Sequence, residues 1–147
     1  MKKNLIISAS VAAVLLITAI AYKPVTQAFT DTPVEKSIDF SVYSANNYTS
    51  AAYNQTSAQV HIVVEKVSKR SRTIVWEKTM DAKLLKQYPT ADKAISQKII
   101  VPGVHDRVEH LEVKYFLIYD SKGSQLEMQD GTVVSSGAKS GKLNIGI

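Results

Sequence analysis

Cysteine is absent from this chain of 147 residues, and glycine and proline are scarce, with six and four residues. Without cysteine there is no disulfide, no thiolate metal ligand and no cysteine nucleophile, so the hydrophobic core alone must hold the fold. The glycines lie at predicted turns or strand ends, which leaves no phosphate-binding loop, and no serine stands in a G-x-S-x-G nucleophile elbow. These absences favour a protein that is not an enzyme, and they indicate no cofactor.

Charge is missing from one long segment near the start. Leu5 to Ala21 carries no charged residue and follows the basic head that contains Lys2 and Lys3. A basic head, an apolar run and small residues up to Ala28 are typical of a signal peptide, which we place at residues 1–28. The alternative is an uncleaved membrane anchor at 5–21, near the lower length limit of a spanning helix. Both interpretations predict an exported domain. A cleaved signal peptide predicts a periplasmic or secreted domain, and an uncleaved anchor predicts a domain held at the outer side of the membrane by a single N-terminal helix.

The basic excess of the chain lies partly in that segment. The whole sequence has 18 basic and 13 acidic residues, a net charge of +5. Removing residues 1–28 takes away Lys2, Lys3 and Lys23 and no acidic residue, so 15 basic residues remain and the net charge falls to +2. A charge of that size gives no support for nucleic-acid binding. With 45% hydrophobic and 21% charged residues, the chain has the composition of an ordinary globular protein.

Alternating apolar residues predict strands through the rest of the chain. The clearest strand runs from Leu111 to Tyr119, where every second side chain points to one face of an extended chain. Phe116 and Ile118 make its later half apolar on the other face too, which predicts a central strand buried on both sides. Seven or eight such strands predict an all-β fold, a two-layer antiparallel β-sandwich of immunoglobulin-like or transthyretin-like topology. A closed barrel is the alternative.

We place the β-sandwich domain at residues 37–147, after a tether at 29–36. Within it, short sequence motifs predict turns and one helical segment. Residues 120–123, with the sequence Asp-Ser-Lys-Gly, predict a type I turn closed by a left-handed glycine. Asp130-Gly131 predicts a second turn, which would end the following strand. A run of good helix formers before a proline predicts a short helical turn near 81–88.

Residues 44–57 form an uncharged segment without glycine or proline. Its tyrosine, asparagine, serine and threonine side chains are typical of adaptable recognition loops, so we predict a binding loop here. The alternative is that its tyrosines fold back as local hydrophobic anchors. Asn47 and Asn54 also match the N-x-T pattern of N-glycosylation. The candidate contacts to a protein or glycan partner are Tyr48, Tyr53, Asn47 and Asn54.

The histidines are the residues to which a metal site would be assigned. His105, His110 and Glu112 form the densest group of possible ligands, and His110 and Glu112 share one face of a predicted strand. His61, on another predicted strand, is the candidate third ligand. The purely structural interpretation of this cluster is a solvated strand end with alternating charges. On that interpretation we predict that the protein binds no metal. The alternative function that follows from the cluster is a small metal-binding protein or hydrolase.

Two further features have simple structural interpretations. Trp76 alternates with Ile74, which predicts a core residue and not a sugar-stacking platform. The basic turn at 68–72 is typical of edge protection at a hairpin tip, with anionic lipid or polysaccharide as the alternative contact. The sequence therefore predicts an exported, non-enzymatic binding module of the cell envelope or secretome. A structural subunit that assembles through an edge strand is a further possibility.

Overall fold

The computed structural model describes residues 31–147, and the predictions made for residues 1–28 lie outside this part. The described residues form eight strands in two sheets, so the predicted all-β sandwich is confirmed. Within the same part, no helix is long and apolar enough to cross a membrane. The strands are β1 (Val34–Tyr43), β2 (Thr56–Ser68), β3 (Arg72–Thr79), β4 (Lys83–Leu84), β5 (Ile95–Val104), β6 (Glu109–Ser121), β7 (Ser124–Val134) and β8 (Ser140–Gly146); 3-10 turns occupy Ala51–Tyr53, Leu85–Gln87 and Ala91–Lys93.

The two sheets differ in width. One has the order β5-β1-β8, and the other has the order β3-β2-β6-β7, with the short β4 paired to the start of β2. All pairs are antiparallel except β1 with β8, which run parallel. The parallel pair arises because β8 follows β7, a strand of the other sheet, so no hairpin dictates its direction.

The core lies between the sheets and is built from the alternating residues of five strands. Ile38 and Val42 of β1 and Ile62 of β2 are fully buried, and each such side chain contributes about 1.5–3 kcal/mol. Trp76 is half-buried, packs against this core and lies 5.6 Å from Phe40 between ring centroids. Its predicted core role is therefore confirmed.

The strand β6 lies between β2 and β7, as expected of a central strand. Leu111, Val113 and Leu117 face the core and are buried. The prediction that its later half is buried on both faces is wrong: Phe116 and Ile118 are only half-buried on the outer face. No layer of the described chain covers that face, and Phe116 stacks instead on His61, with ring centroids 5.6 Å apart.

The hairpin between β6 and β7 is tighter than predicted. Ser121 pairs with Ser124, so the loop contains only Lys122 and Gly123, both at positive φ (55° and 84°). Two positive φ values define a type I′ turn, whose twist matches the flanking strands, and not the predicted type I turn. Asp120 accepts a hydrogen bond from the Gly123 amide at 3.2 Å, as its position before the glycine suggests.

The predicted turn at Asp130-Gly131 does not exist, because β7 continues through it to Val134. Gly131 pairs with Lys114, and a Cβ built on it would overlap the Val113 carbonyl oxygen. The glycine therefore permits a close approach of two backbones within the sheet.

Residues 81–88 and the start of the domain also differ in detail. Lys83 and Leu84 pair with β2, and the helical turn shrinks to Leu85–Gln87. Leu85 and Tyr88 are buried at a spacing that matches three residues per turn, and the Tyr88 hydroxyl donates to the Ala58 carbonyl at 2.8 Å. Strand β1 begins at Val34, within the segment assigned to a tether.

Candidate binding surfaces

The strand registers place two groups of loops at opposite ends of the domain. Strand β2 pairs with β6 from Thr56–Ser121 at one end to Ser68–Glu109 at the other. The loop after β1 and the β6–β7 hairpin lie at the first end. The β2–β3 turn, the β5–β6 loop and the segment after β7 lie at the second, which we call the basic end.

Tyrosines concentrate towards the first end, where Tyr115 and Tyr119 lie on the face of β6 that is directed towards the sandwich interior. Tyr119 pairs with Leu126 and Tyr115 with Asp130, while Met128 pairs with the core residue Leu117. These pairs put Leu126 and Met128 of β7 on the inner face. We call the following set the tyrosine surface: Tyr43, Tyr48, Tyr53, Tyr115, Tyr119, Leu126 and Met128.

The predicted binding loop supplies two members of this surface. Tyr48 is half-buried against the core, and its ring meets that of Tyr53 edge to face at 5.1 Å. Tyr53 is 41% exposed. Tyr48 thus acts as the local anchor that the alternative interpretation describes, while Tyr53 is accessible.

The two asparagines predicted as partner contacts, Asn47 and Asn54, form hydrogen bonds within the loop. Asn47 accepts a hydrogen bond from the Thr49 amide at 3.2 Å, and the Asn54 amide donates to the Ala51 carbonyl at 3.2 Å. Both residues are exposed. Backbone hydrogen bonds from Ser44 to Pro89 and from Ala45 to Ile147 tie the start of the loop to the domain.

The tyrosine surface is uncovered along β7. Leu126 and Met128 are 61% and 53% exposed although they are on the inner face. Strands β7 and β8 meet closely at Val134 and Gly141, where a Cβ on the glycine would overlap the valine side chain. Further along β7 the narrower sheet provides no strand above these side chains. The result is an apolar face open to solvent.

The environment of this surface raises the pKa of two of its phenols, those of Tyr115 and Tyr119. Burial raises the pKa of Tyr119, and the nearby Tyr48 and Tyr115 raise it further. Burial also raises the pKa of Tyr115, whose hydroxyl lies 3.5 Å from an Asp130 carboxylate oxygen. Neutral hydroxyls beside aliphatic side chains suit a partner with both apolar and hydrogen-bonding groups.

The histidines do not converge. His110 pairs with Val67, whereas His61 pairs with Phe116, six residues away along β2, or roughly 20 Å at the rise of a strand. His105 Nδ1 lies 3.6 Å from Asp31, and His110 Nε2 lies 3.4 Å from Glu112. Among residues 31–147, no three His, Asp or Glu side chains are grouped to hold a metal ion.

Glu112 belongs instead to an ion-pair network on the outer face of the wider sheet. Arg72 binds its carboxylate at 2.6 and 3.2 Å and also contacts Glu65, which Lys114 reaches at 2.8 Å. Arg72 lowers the pKa of Glu112 to about 2, with a smaller contribution from His110. Lys114 and then Arg72 lower the pKa of Glu65. Both carboxylates are thus already occupied.

These two pKa values make stability depend on pH in a defined direction. A carboxyl group with a lowered folded-state pKa adds stability above its unfolded pKa, near 4.5, and that stability is lost as pH falls through the folded-state pKa, which for Glu112 is about 2. We expect urea unfolding midpoints to fall between pH 5 and pH 2.5. The double variant E65Q/E112Q should show a flatter pH profile, and an unchanged slope would contradict the assignment.

No family model, curated protein or solved structure matches the chain. Function is therefore inferred from the domain's own surfaces. Sequence patterns place Leu126 and Met128 on a strand face but do not reveal that the face is uncovered. The detectable signal for the rest of the surface is that Tyr43 and Tyr119 both stand near the carboxyl ends of their strands.

Proposed function

We propose that this protein is an exported, non-enzymatic binding module whose tyrosine surface binds an extended segment of a protein partner. The observation that carries the proposal is the exposure of Leu126 and Met128 on an inner face, beside accessible Tyr53. The N-terminal sequence supports export, and the absence of catalytic motifs from the sequence supports a role in binding. Loops and uncovered faces on a rigid sandwich are the usual place for such a role.

The difference in sheet width suggests how the partner binds. In the described chain β8 is an edge strand of the three-stranded sheet, and β7 of the other sheet extends beyond it. A segment that paired with the outer edge of β8 would lie above the inner face of β7. Its backbone would then bond to β8, and its alternate side chains would pack on Leu126 and Met128.

The chemistry of the surface favours a protein segment over a glycan. Leu126 and Met128 offer no hydrogen-bonding group to a sugar hydroxyl. Of the five tyrosines, only Tyr53 is exposed, so flat ring area for sugar stacking is small. Tyrosine and methionine are enriched at protein interfaces, where a few such residues supply most of the binding free energy.

A displayed library of random decapeptides, selected on the purified protein, tests this proposal. We expect the enriched peptides to alternate apolar and polar residues. We also expect the Met128→Lys substitution to weaken their binding about 30-fold, since a residue at the centre of an interface contributes about 2 kcal/mol.

Ile100→Lys is the matched control for this experiment. Ile100 is 55% exposed, close to the 53% of Met128, but lies on the outer face of β5. The control should bind selected peptides as the natural protein does. Failure to enrich any peptide, or equal binding by the Met128→Lys variant, would refute the proposed function.

A further inference from the structure

A cleft of about 900 Å³ opens at the basic end, away from the tyrosine surface. It lies between the β2–β3 turn, the loop before β6 and the end of β7. Its volume is within the range typical of small-molecule sites. The residues that matter for its chemistry are Lys69, Arg70, Arg107, Val108, His110 and Val133.

One wall of the cleft is an ordered turn. Ser68 Oγ accepts hydrogen bonds from the Arg70 and Ser71 amides at 3.2 and 3.1 Å, and the Ser68 amide donates to the Ser71 carbonyl at 2.8 Å. These bonds hold the backbone that carries Lys69 and Arg70, so both side chains project from a defined position.

The opposite wall is held by a buried lysine. Lys36, 1% exposed, donates to the Ser135 carbonyl at 2.6 Å, and its Nζ lies 2.6 Å from Asp106 Oδ1. The Gly137 amide donates to Asp106 Oδ2 at 2.7 Å. The loop before β6 and the segment after β7 are thereby joined into one surface.

The negative charges of the acidic residues in the cleft are balanced by lysines of the same domain. Asp106 is bound by Lys36, and Glu109 accepts from the His105 amide at 2.8 Å and lies 3.7 Å from Lys66. The ion pairs formed within residues 31–147 do not include Lys69 or Arg70, both exposed. The cleft therefore presents net positive charge to solvent.

The same cleft also exposes aliphatic side chains. Val108 is 64% exposed and Val133 is 55% exposed, and both line it with the basic residues. Cationic groups beside exposed valines match a ligand that is negatively charged at one end and apolar at the other.

We infer that this cleft binds a small organic anion in which a phosphate or carboxylate group is joined to an apolar moiety. Lys69 and Arg70 bind the anionic group through charge-assisted hydrogen bonds. Val108 and Val133 contact the apolar part. The site is independent of the proposed peptide-binding function, because it lies at the other end of the strands.

Titration of the purified protein with four probes below their micelle concentrations, followed by amide NMR signals, tests the inference. Octyl phosphate and octanoate should shift the signals of Lys69, Arg70, Val108 and Val133. Inorganic phosphate lacks the apolar part and octyl glucoside lacks the charge, so each should bind at least about tenfold more weakly. Binding of either organic anion supports the site, and the tighter one identifies its head group.

The double variant K69Q/R70Q should lose about tenfold or more in affinity for the better probe. Lys86 and Lys93 are exposed at the opposite end, so K86Q/K93Q is the matched control and should bind normally. Equal binding by K69Q/R70Q and the natural protein would overturn the inference. So would octyl glucoside or inorganic phosphate binding as tightly as octyl phosphate.

Discussion

Replacing Asp106 with asparagine should destabilise the domain more than replacing its partner Lys36 with methionine. The Lys36 ammonium is in the interior, whereas the Asp106 side chain is 27% exposed. Asp106→Asn leaves a buried positive charge with neutral acceptors alone, the Ser135 carbonyl and the asparagine amide oxygen. Lys36→Met removes that charge, and the carboxylate that remains is partly exposed and keeps its hydrogen bond from the Gly137 amide. Removing Lys36, the more buried member of the pair, is thus the milder change.

We expect thermal unfolding at pH 7 to show this order, with the midpoint of D106N lowered by roughly 10 °C or more. The double variant K36M/D106N should recover much of the loss, because it removes both charges. A K36M variant that is as unstable as D106N would contradict the prediction. Ligand binding in the cleft should weaken together with stability, since the pair joins the loop before β6 to the segment after β7 in one of its walls.

Gly131→Ala is the second substitution with a large expected effect. Its Cβ would overlap the Val113 carbonyl oxygen and lie 3.2 Å from Lys114 Cα. Both are backbone atoms of the central strand β6, so relief requires β7 to separate from it. We expect a loss of about 2–4 kcal/mol in the free energy of unfolding.

Urea unfolding and amide hydrogen exchange measure this effect together. Exchange should accelerate in β7 before it does in β2, and peptide binding should fall because β7 carries Leu126 and Met128. Gln129→Ala, an exposed change two residues away, should alter stability by less than about 0.5 kcal/mol. Stability of the Gly131→Ala variant equal to that of this control would show that the backbones separate without cost.

Local alternation was sufficient to predict much of the fold. The repeat of apolar residues from Leu111 to Tyr119 predicted the strand β6 and its packing on the core, because a strand with one continuous apolar face must be covered on that face. The same reasoning placed Trp76 against the core. Both features depend on residues that are near in sequence.

Several features that the sequence did not reveal concern contacts between residues distant in sequence. Asp130-Gly131 has the composition of a turn, but the close approach of β6 explains the glycine, and that strand lies elsewhere in the chain. The separation of His61 from His110 depends on the register of β2 with β6. The exposure of Met128 depends on the number of strands in the opposite sheet. None of these features can be inferred from a pattern of residues that are close in sequence.

The place of β1 has a consequence for how the domain folds. It is the first strand of the described chain, yet both of its neighbours, β5 and β8, are made much later, and its Ser41 meets Asn144 across 103 residues. The apolar side chains of Ile38, Phe40 and Val42 therefore stay exposed until these later strands have been synthesised. Such distant pairing predicts slow folding, on the order of milliseconds to seconds.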